Sequence, residues 1–168
     1  MGKIILLLLF PFSLLAQPRR DSIPRYVPFI QPNKTLPLLK VVINNKETYM
    51  LLDTGAANEC LLDNNQKSQY NYRLLPADNI QVRGLGTIQS VYYVIGIDSI
   101  FIYKTPYLLE CYSADIRGVV GNIQKTMNIK IVGILGSTFF EHENIIIDYR
   151  RNVLIFPQQR SNKQSRKL

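Results

Sequence analysis

Among the side chains that could do chemistry, one stretch sets them in a useful order: Met50-Leu51-Leu52-Asp53-Thr54-Gly55-Ala56-Ala57. Three apolar residues drive a strand into a core and deliver a carboxylate at its end, so Asp53 is expected half desolvated at the floor of a cleft. Thr54 offers a short hydroxyl that can lock the turn, and Gly55 lets a ligand or a second backbone come close. A carboxylate held still yet exposed is suited to proton transfer. Other chemistries have little material here. His142 is the only histidine and lies between Glu141 and Glu143, in an expected exposed turn, so a Ser/His/Asp or Cys/His nucleophile is set aside. With no Cys/His cluster in the sequence, no metal and no other cofactor is expected.

A second informative run is Ile131-Val132-Gly133-Ile134-Leu135-Gly136-Ser137-Thr138-Phe139-Phe140, followed by Asn144-Ile145-Ile146-Ile147-Asp148-Tyr149 and Val153-Leu154-Ile155-Phe156. With a glycine-containing hairpin between the two motifs, this order resembles one lobe of the aspartic proteases, most closely the retropepsin-like ones. The resemblance runs from about Leu36 to Phe156. In that family Asp-Thr-Gly-Ala carries the catalytic carboxylate. A later apolar-apolar-Gly triplet, here Ile134-Leu135-Gly136, packs beside the catalytic loop and opens a short helix.

The resemblance implies a mainly β fold: a closed, barrel-like lobe with one short helix after the Ile-Leu-Gly motif. It implies aspartic endopeptidase activity on peptide or protein substrates, with Asp53 catalytic and Thr54, Gly55, Ala56 and Gly136 in support. Thr54 would brace a dimer centre through its hydroxyl, and Gly55 would present its carbonyl to the substrate backbone. Gly84, Leu85 and Gly86 would form the tip of a flap that closes over the peptide and excludes water.

Peptide hydrolysis by this class needs two carboxylates sharing one proton, because two like charges at contact cannot both ionise. Asp98-Ser99-Ile100 and Asp148-Tyr149-Arg150 lack the glycine, so the sequence holds one Asp-Thr-Gly. The second carboxylate must come from Asp53 of another copy, making a homodimer with its two-fold axis in the site. Ala56 offers that carboxylate no side-chain donor, from which an optimum of about pH 5 to 6.5 is expected, less acidic than that of pepsins. Ala57 and Asn58 stand where viral retropepsins often carry acids that bind substrate backbone ends. The competing reading is a non-catalytic peptide-binding or assembly module on the same lobe.

The elements that must position these residues read mostly as strands, short Ile-, Val-, Leu- and Tyr-rich runs split by Asn, Gly and Pro. Leu36 to Ile43 and Glu47 to Asp53 form a hairpin around Asn44-Asn45-Lys46, its second strand feeding Asp53 into its turn. Cys60-Leu61-Leu62 is a further short run. Asp63 to Asn71 is polar and holds one or two helical turns, with Asp63 as N-cap. Ile80 to Arg83 and Thr87 to Ile97 form the glycine-tipped hairpin, Ser99 to Tyr103 and Tyr107 to Tyr112 two more strands, and Ser113 to Lys130 a long loop that could shape a subsite. Ile145 to Asp148 and Val153 to Phe156 close the chain as a hairpin. In the family, such terminal strands build the sheet joining two subunits.

The ends are organised differently. Residues 1–16 carry Lys3, an apolar run broken by Pro11 and Ser13, and Ala16 at its end, which reads as a cleaved secretory signal peptide. The mature chain is then expected outside the cytoplasm, secreted or periplasmic, or membrane-anchored if the run stays uncleaved. Residues 17–35 form a proline-rich basic arm that disfavours helix and central strand, residues 36–157 the protease-like domain, and residues 158–168 a basic flexible tail. The net charge of +8 is spread along the chain with no aromatic-basic strip, so nucleic acid is not expected as a partner. Weak association with an anionic membrane surface remains open. Cys60 and Cys111 permit one intrachain disulfide, favoured in an oxidising compartment, or two buried thiols.

Overall fold

A computed structural model describes residues 25–32, 36–82 and 89–157. The signal run, residues 17–24, the expected flap tip at Gly84, Leu85 and Gly86, and the basic tail lie outside the described residues.

Among the described residues the apolar runs become twelve strands: β1 (Arg25–Pro28), β2 (Leu38–Ile43), β3 (Lys46–Asp53), β4 (Cys60–Asp63), β5 (Arg73–Val82), β6 (Gln89–Ile95), β7 (Ile100–Ile102), β8 (Thr105–Tyr107), β9 (Cys111–Ala114), β10 (Ile131–Gly136), β11 (Ile146–Asp148) and β12 (Val153–Phe156). Three helices join them: α1 (Lys67–Tyr70), α2 (Arg117–Met127) and α3 (Ser137–His142). Nine strands form one sheet in the order β5-β6-β9-β4-β10-β3-β2-β7-β8, and β1-β12-β11 form a second. The mainly β reading holds, as does the short helix directly after Ile134-Leu135-Gly136. Among the described residues no ladder joins β5 to β8, the outer strands of the large sheet.

Local chemistry explains the turns. Asn44 and Asn45 both have positive φ, 46° and 64°, the backbone that a two-residue hairpin turn demands and that asparagine tolerates. Asp63 caps the 3-10 turn at Asn64–Gln66, its carboxylate accepting from Asn65 N–H, and α1 follows, as the polar stretch suggests.

Three expectations are corrected. The proline-rich arm is not wholly outside the packed domain: Arg25–Pro28 pairs antiparallel with β12, burying Val27 while Phe29 behind it is buried too. β1 is an edge strand, where a residue lacking an N–H is tolerated. The packed unit therefore begins before residue 36. The Ser113–Lys130 stretch is not a loop: it opens with the end of β9 and continues as α2, whose Val120 is buried. Likewise Leu108 to Glu110 separates β8 from β9, where one strand from Tyr107 was expected.

The core divides into two clusters. One holds Leu39, Met50, Leu52, Cys60, Leu62, Leu135, Phe139 and Phe156 among others. The second holds Leu38, Leu51, Leu61, Ile134, Ile116 and Val120 with their neighbours. Residues 51 and 52 of β3 thus go to different clusters, as period-two alternation requires. β10 is buried at every position, parallel to β3 on one side and antiparallel to β4 on the other. It fits there because Gly133 has no side chain: a Cβ would come within 2.6 Å of Leu61 O.

Candidate active site

β3 ends at Asp53, which is half-buried, and Thr54 and Gly55 after it are exposed. The turn is held by its own carboxylate. Gly55 N–H donates to Asp53 Oδ1 at 2.9 Å, and Ala56 N–H to the Asp53 carbonyl at 3.2 Å. One carboxylate oxygen thus faces a fixed backbone donor at the end of a buried strand, the geometry that holds a charged group still without removing it from water.

The second motif closes the turn from behind. Gly136 lies opposite Asp53 across the parallel ladder of β3 and β10, and its N–H donates to the Glu59 carbonyl at 3.1 Å. Ser137 then donates twice to the Ala56 carbonyl, from its N–H at 2.8 Å and its hydroxyl at 3.1 Å. A Cβ on Gly136 would meet Asn58 O at 2.2 Å, Ala56 O at 2.4 Å and Asn58 Oδ1 at 2.9 Å. Asp53, Thr54, Gly55, Ala56 and Gly136 are therefore brought together in one place.

Sequence reasoning missed the roles of four further residues, Glu59, His142, Ser137 and Asn58. Glu59 turns its carboxylate into a junction: Oε1 meets His142 Nδ1 at 2.5 Å, and Oε2 accepts from Glu110 N–H at 2.7 Å. His142 is exposed, as expected, but it ends α3 and fastens that helix to the segment behind the Asp53 turn. Ser137 pins Ala56. Asn58 places Oδ1 in a buried position with no hydrogen-bond partner among the described residues. The position of Ser137, next to the motif glycine, was the one available signal; Glu59 and His142 are too far apart in sequence to be paired by inspection.

The two arms of the glycine-tipped hairpin, β5 and β6, pair antiparallel with a register shift between Pro76 and Gln81. Cys60 and Cys111 lie directly opposite one another on the parallel strands β4 and β9. Both are buried and both are free thiols. Burial foremost, then the hydrogen bond with Cys111, pushes the Cys60 thiol well above its ordinary range.

Comparison with solved structures finds the same architecture. The chain is similar to a retropepsin-like aspartic protease from Rickettsia conorii, with a TM-score of 0.52 and 13% identity over 79% of this chain and 90% of that one. It is similar also to the EIAV protease complexed with the inhibitor HBY-793 (TM-score 0.46, 20% identity, 67% and 92% covered). A third likeness is to the retroviral protease-like domain of Ddi1 from Leishmania major (TM-score 0.45, 13% identity, 78% and 99% covered). No family model matches the sequence, and no curated protein does. The first of these likenesses, with the strand order and the Asp53–Gly136 pairing, defines the chain as retropepsin-like in fold.

Proposed function

We propose that the chain is an aspartic endopeptidase that acts as a homodimer, with Asp53 of each copy facing a shared two-fold axis. The observation that carries the reading is the Asp53 turn itself. Its carboxylate is fixed by Gly55 N–H, backed by Gly136, and left partly open beside exposed Thr54. In the paired site one carboxylate is ionised and takes a proton from the attacking water. The other holds a proton and polarises the scissile carbonyl. A single turn cannot do both, so the site is complete only with a second copy.

The terminal sheet supports dimer formation: among the described residues β1 and β11 each leave one edge open, and Ile146 on β11 and Tyr149 beyond it are exposed. Thr54 would brace the dimer centre and Gly55 would hold the substrate backbone. The flap tip expected at Gly84, Leu85 and Gly86 would close over the peptide. The apolar run of residues 1–16 supports export of the mature domain, and N-terminal sequencing of the mature protein tests that.

The activity is tested by incubating the purified chain with an unstructured peptide library across about pH 4 to 7, beside Asp53→Asn. The wild-type chain should cleave and the variant should not. Equal cleavage by both, or none by either, would favour the peptide-binding module instead.

A further inference from the structure

Helix α2, which the motifs did not call for, lies over the apolar floor of the Asp53 face. Alternation along β3 puts Asp53 on the same face as Leu51. Register carries that face from Leu38 through Leu51 and Ile134 to Leu61. All four are buried in one cluster with Ile116 and Val120, and Ala56 of the catalytic turn packs against it. Through Ile116 and Val120 the α2 segment shares that buried cluster and covers part of its floor.

For a helix in that position, α2 is weakly built. It begins Arg117-Gly118-Val119-Val120-Gly121, its N-cap residue Ile116 makes no side-chain cap, and its first turn holds no acidic residue. Glycine and β-branched residues lower helix propensity, and the start is held only from outside the helix, where Asp115 Oδ1 accepts from Arg117 N–H at 3.0 Å. Gly121 is not there for want of room, since a Cβ on it would meet nothing within 4 Å. Two amide side chains tether the helix. Gln89, at the start of β6, donates from Nε2 to the Asp115 carbonyl and accepts from Asp115 N–H, each at 3.1 Å. Gln124 Oε1 accepts from Ile131 N–H at 2.9 Å. The Gln89 pair links the hairpin to the segment leading into α2.

We propose that α2 is the specificity-determining gate of the site: it lifts from Leu51, Leu61 and Ile134 to seat a bulky apolar side chain beside the scissile bond, with Gly121 keeping that opening easy. This rests on the protease reading above.

The test is Gly121→Ala in the full chain. Amide exchange across Arg117–Met127 should slow about five-fold, the equilibrium equivalent of the helix-propensity difference. The kcat/KM should fall by a similar factor for a peptide with Phe before the scissile bond and stay unchanged for the same peptide with Ala there. Val120→Ala, which trims the inward side chain, should move the Phe/Ala preference the opposite way. Exchange in wild-type α2 as slow as in β10, or an equal change on both peptides, overturns the gate. The exchange readout needs no cleavage. A chain that cuts neither peptide refutes the protease reading, while exchange still decides whether α2 opens.

Discussion

Asp53 and Gly136 face each other across the β3–β10 ladder, and the loop behind the carboxylate lies against the glycine so closely that a Cβ would come within 2.2 Å of Asn58 O. The two nearest neighbours at that spot, Asn58 O and Ala56 O, are backbone carbonyls, which cannot rotate away as a side chain could. Gly136→Ala is therefore expected to cost about 3 kcal/mol or more and to displace the Asp53 turn. Urea unfolding reads this directly. Gly121→Ala, where the added methyl meets open space, serves as the contrast and should not lower the midpoint; equal midpoints for both variants would contradict the argument.

The Glu59 carboxylate serves two donors, the Glu110 N–H and the His142 ring, and these losses are unequal. Glu59→Ala removes a charged acceptor from a backbone N–H and should cost about 1 to 2 kcal/mol. His142→Ala removes only the partly solvated pair, and should stay within about 0.5 kcal/mol of the wild type. Thermal unfolding of both variants checks the order; a larger loss for His142→Ala would refute it.

Alkaline stability should be set by the tyrosines. Burial first, and then the Asp63 charge, pushes the Tyr72 phenol far above its ordinary range, and its hydroxyl donates to the Asp63 carbonyl. Burial likewise raises Tyr107, and the hydrogen bond with Glu110 foremost pushes Tyr112 up to about 12. A folded-state value above the unfolded one means that the stabilisation is full below about pH 10, where unfolded tyrosine ionises, and is lost as pH rises beyond it. The melting temperature should hold to about pH 10 and then fall. Tyr72→Phe should flatten that fall while costing about 1 kcal/mol at neutral pH through the lost hydrogen bond. An identical alkaline slope in the variant would contradict this.

Cys60 and Cys111 stand opposite one another on neighbouring strands, close enough for oxidation to join them. Exchange with a small disulfide such as oxidised glutathione, which takes up the two electrons as two thiols, should remove two hydrogen atoms from the chain. In the chain-entropy model a bridge closing a loop of about fifty residues contributes about 4 kcal/mol, so the melting temperature should rise and fall back on reduction. Complete alkylation of both cysteines in the oxidised, then denatured, chain would show that no bridge forms.

What could be read in advance follows from how local each cause is. Asp53 and its turn were legible because the strand, the carboxylate and the glycine are consecutive, and α3 because Gly136 ends a buried strand before Ser137. The Asp63 cap and the Asn44-Asn45 turn were legible for the same reason. β1 was obscured by Pro28, whose missing N–H is harmless only at an open sheet edge, a fact about strand order. α2 was obscured by Gly118 and Gly121, which lower its intrinsic preference; burial of Ile116 and Val120 against the Leu51 and Ile134 cluster overrides that. The Glu59–His142 contact joins residues whose meeting depends on the whole β4–β10–α3 arrangement.

The claim that two Asp53 side chains form one site is tested most directly by mixing wild-type chain with Asp53→Asn chain under conditions of free subunit exchange. Random pairing should reduce activity per wild-type chain to about half at equal proportions, and further as the variant is added in excess. Activity per wild-type chain that stays constant at every ratio would show that one copy suffices, and would contradict the account.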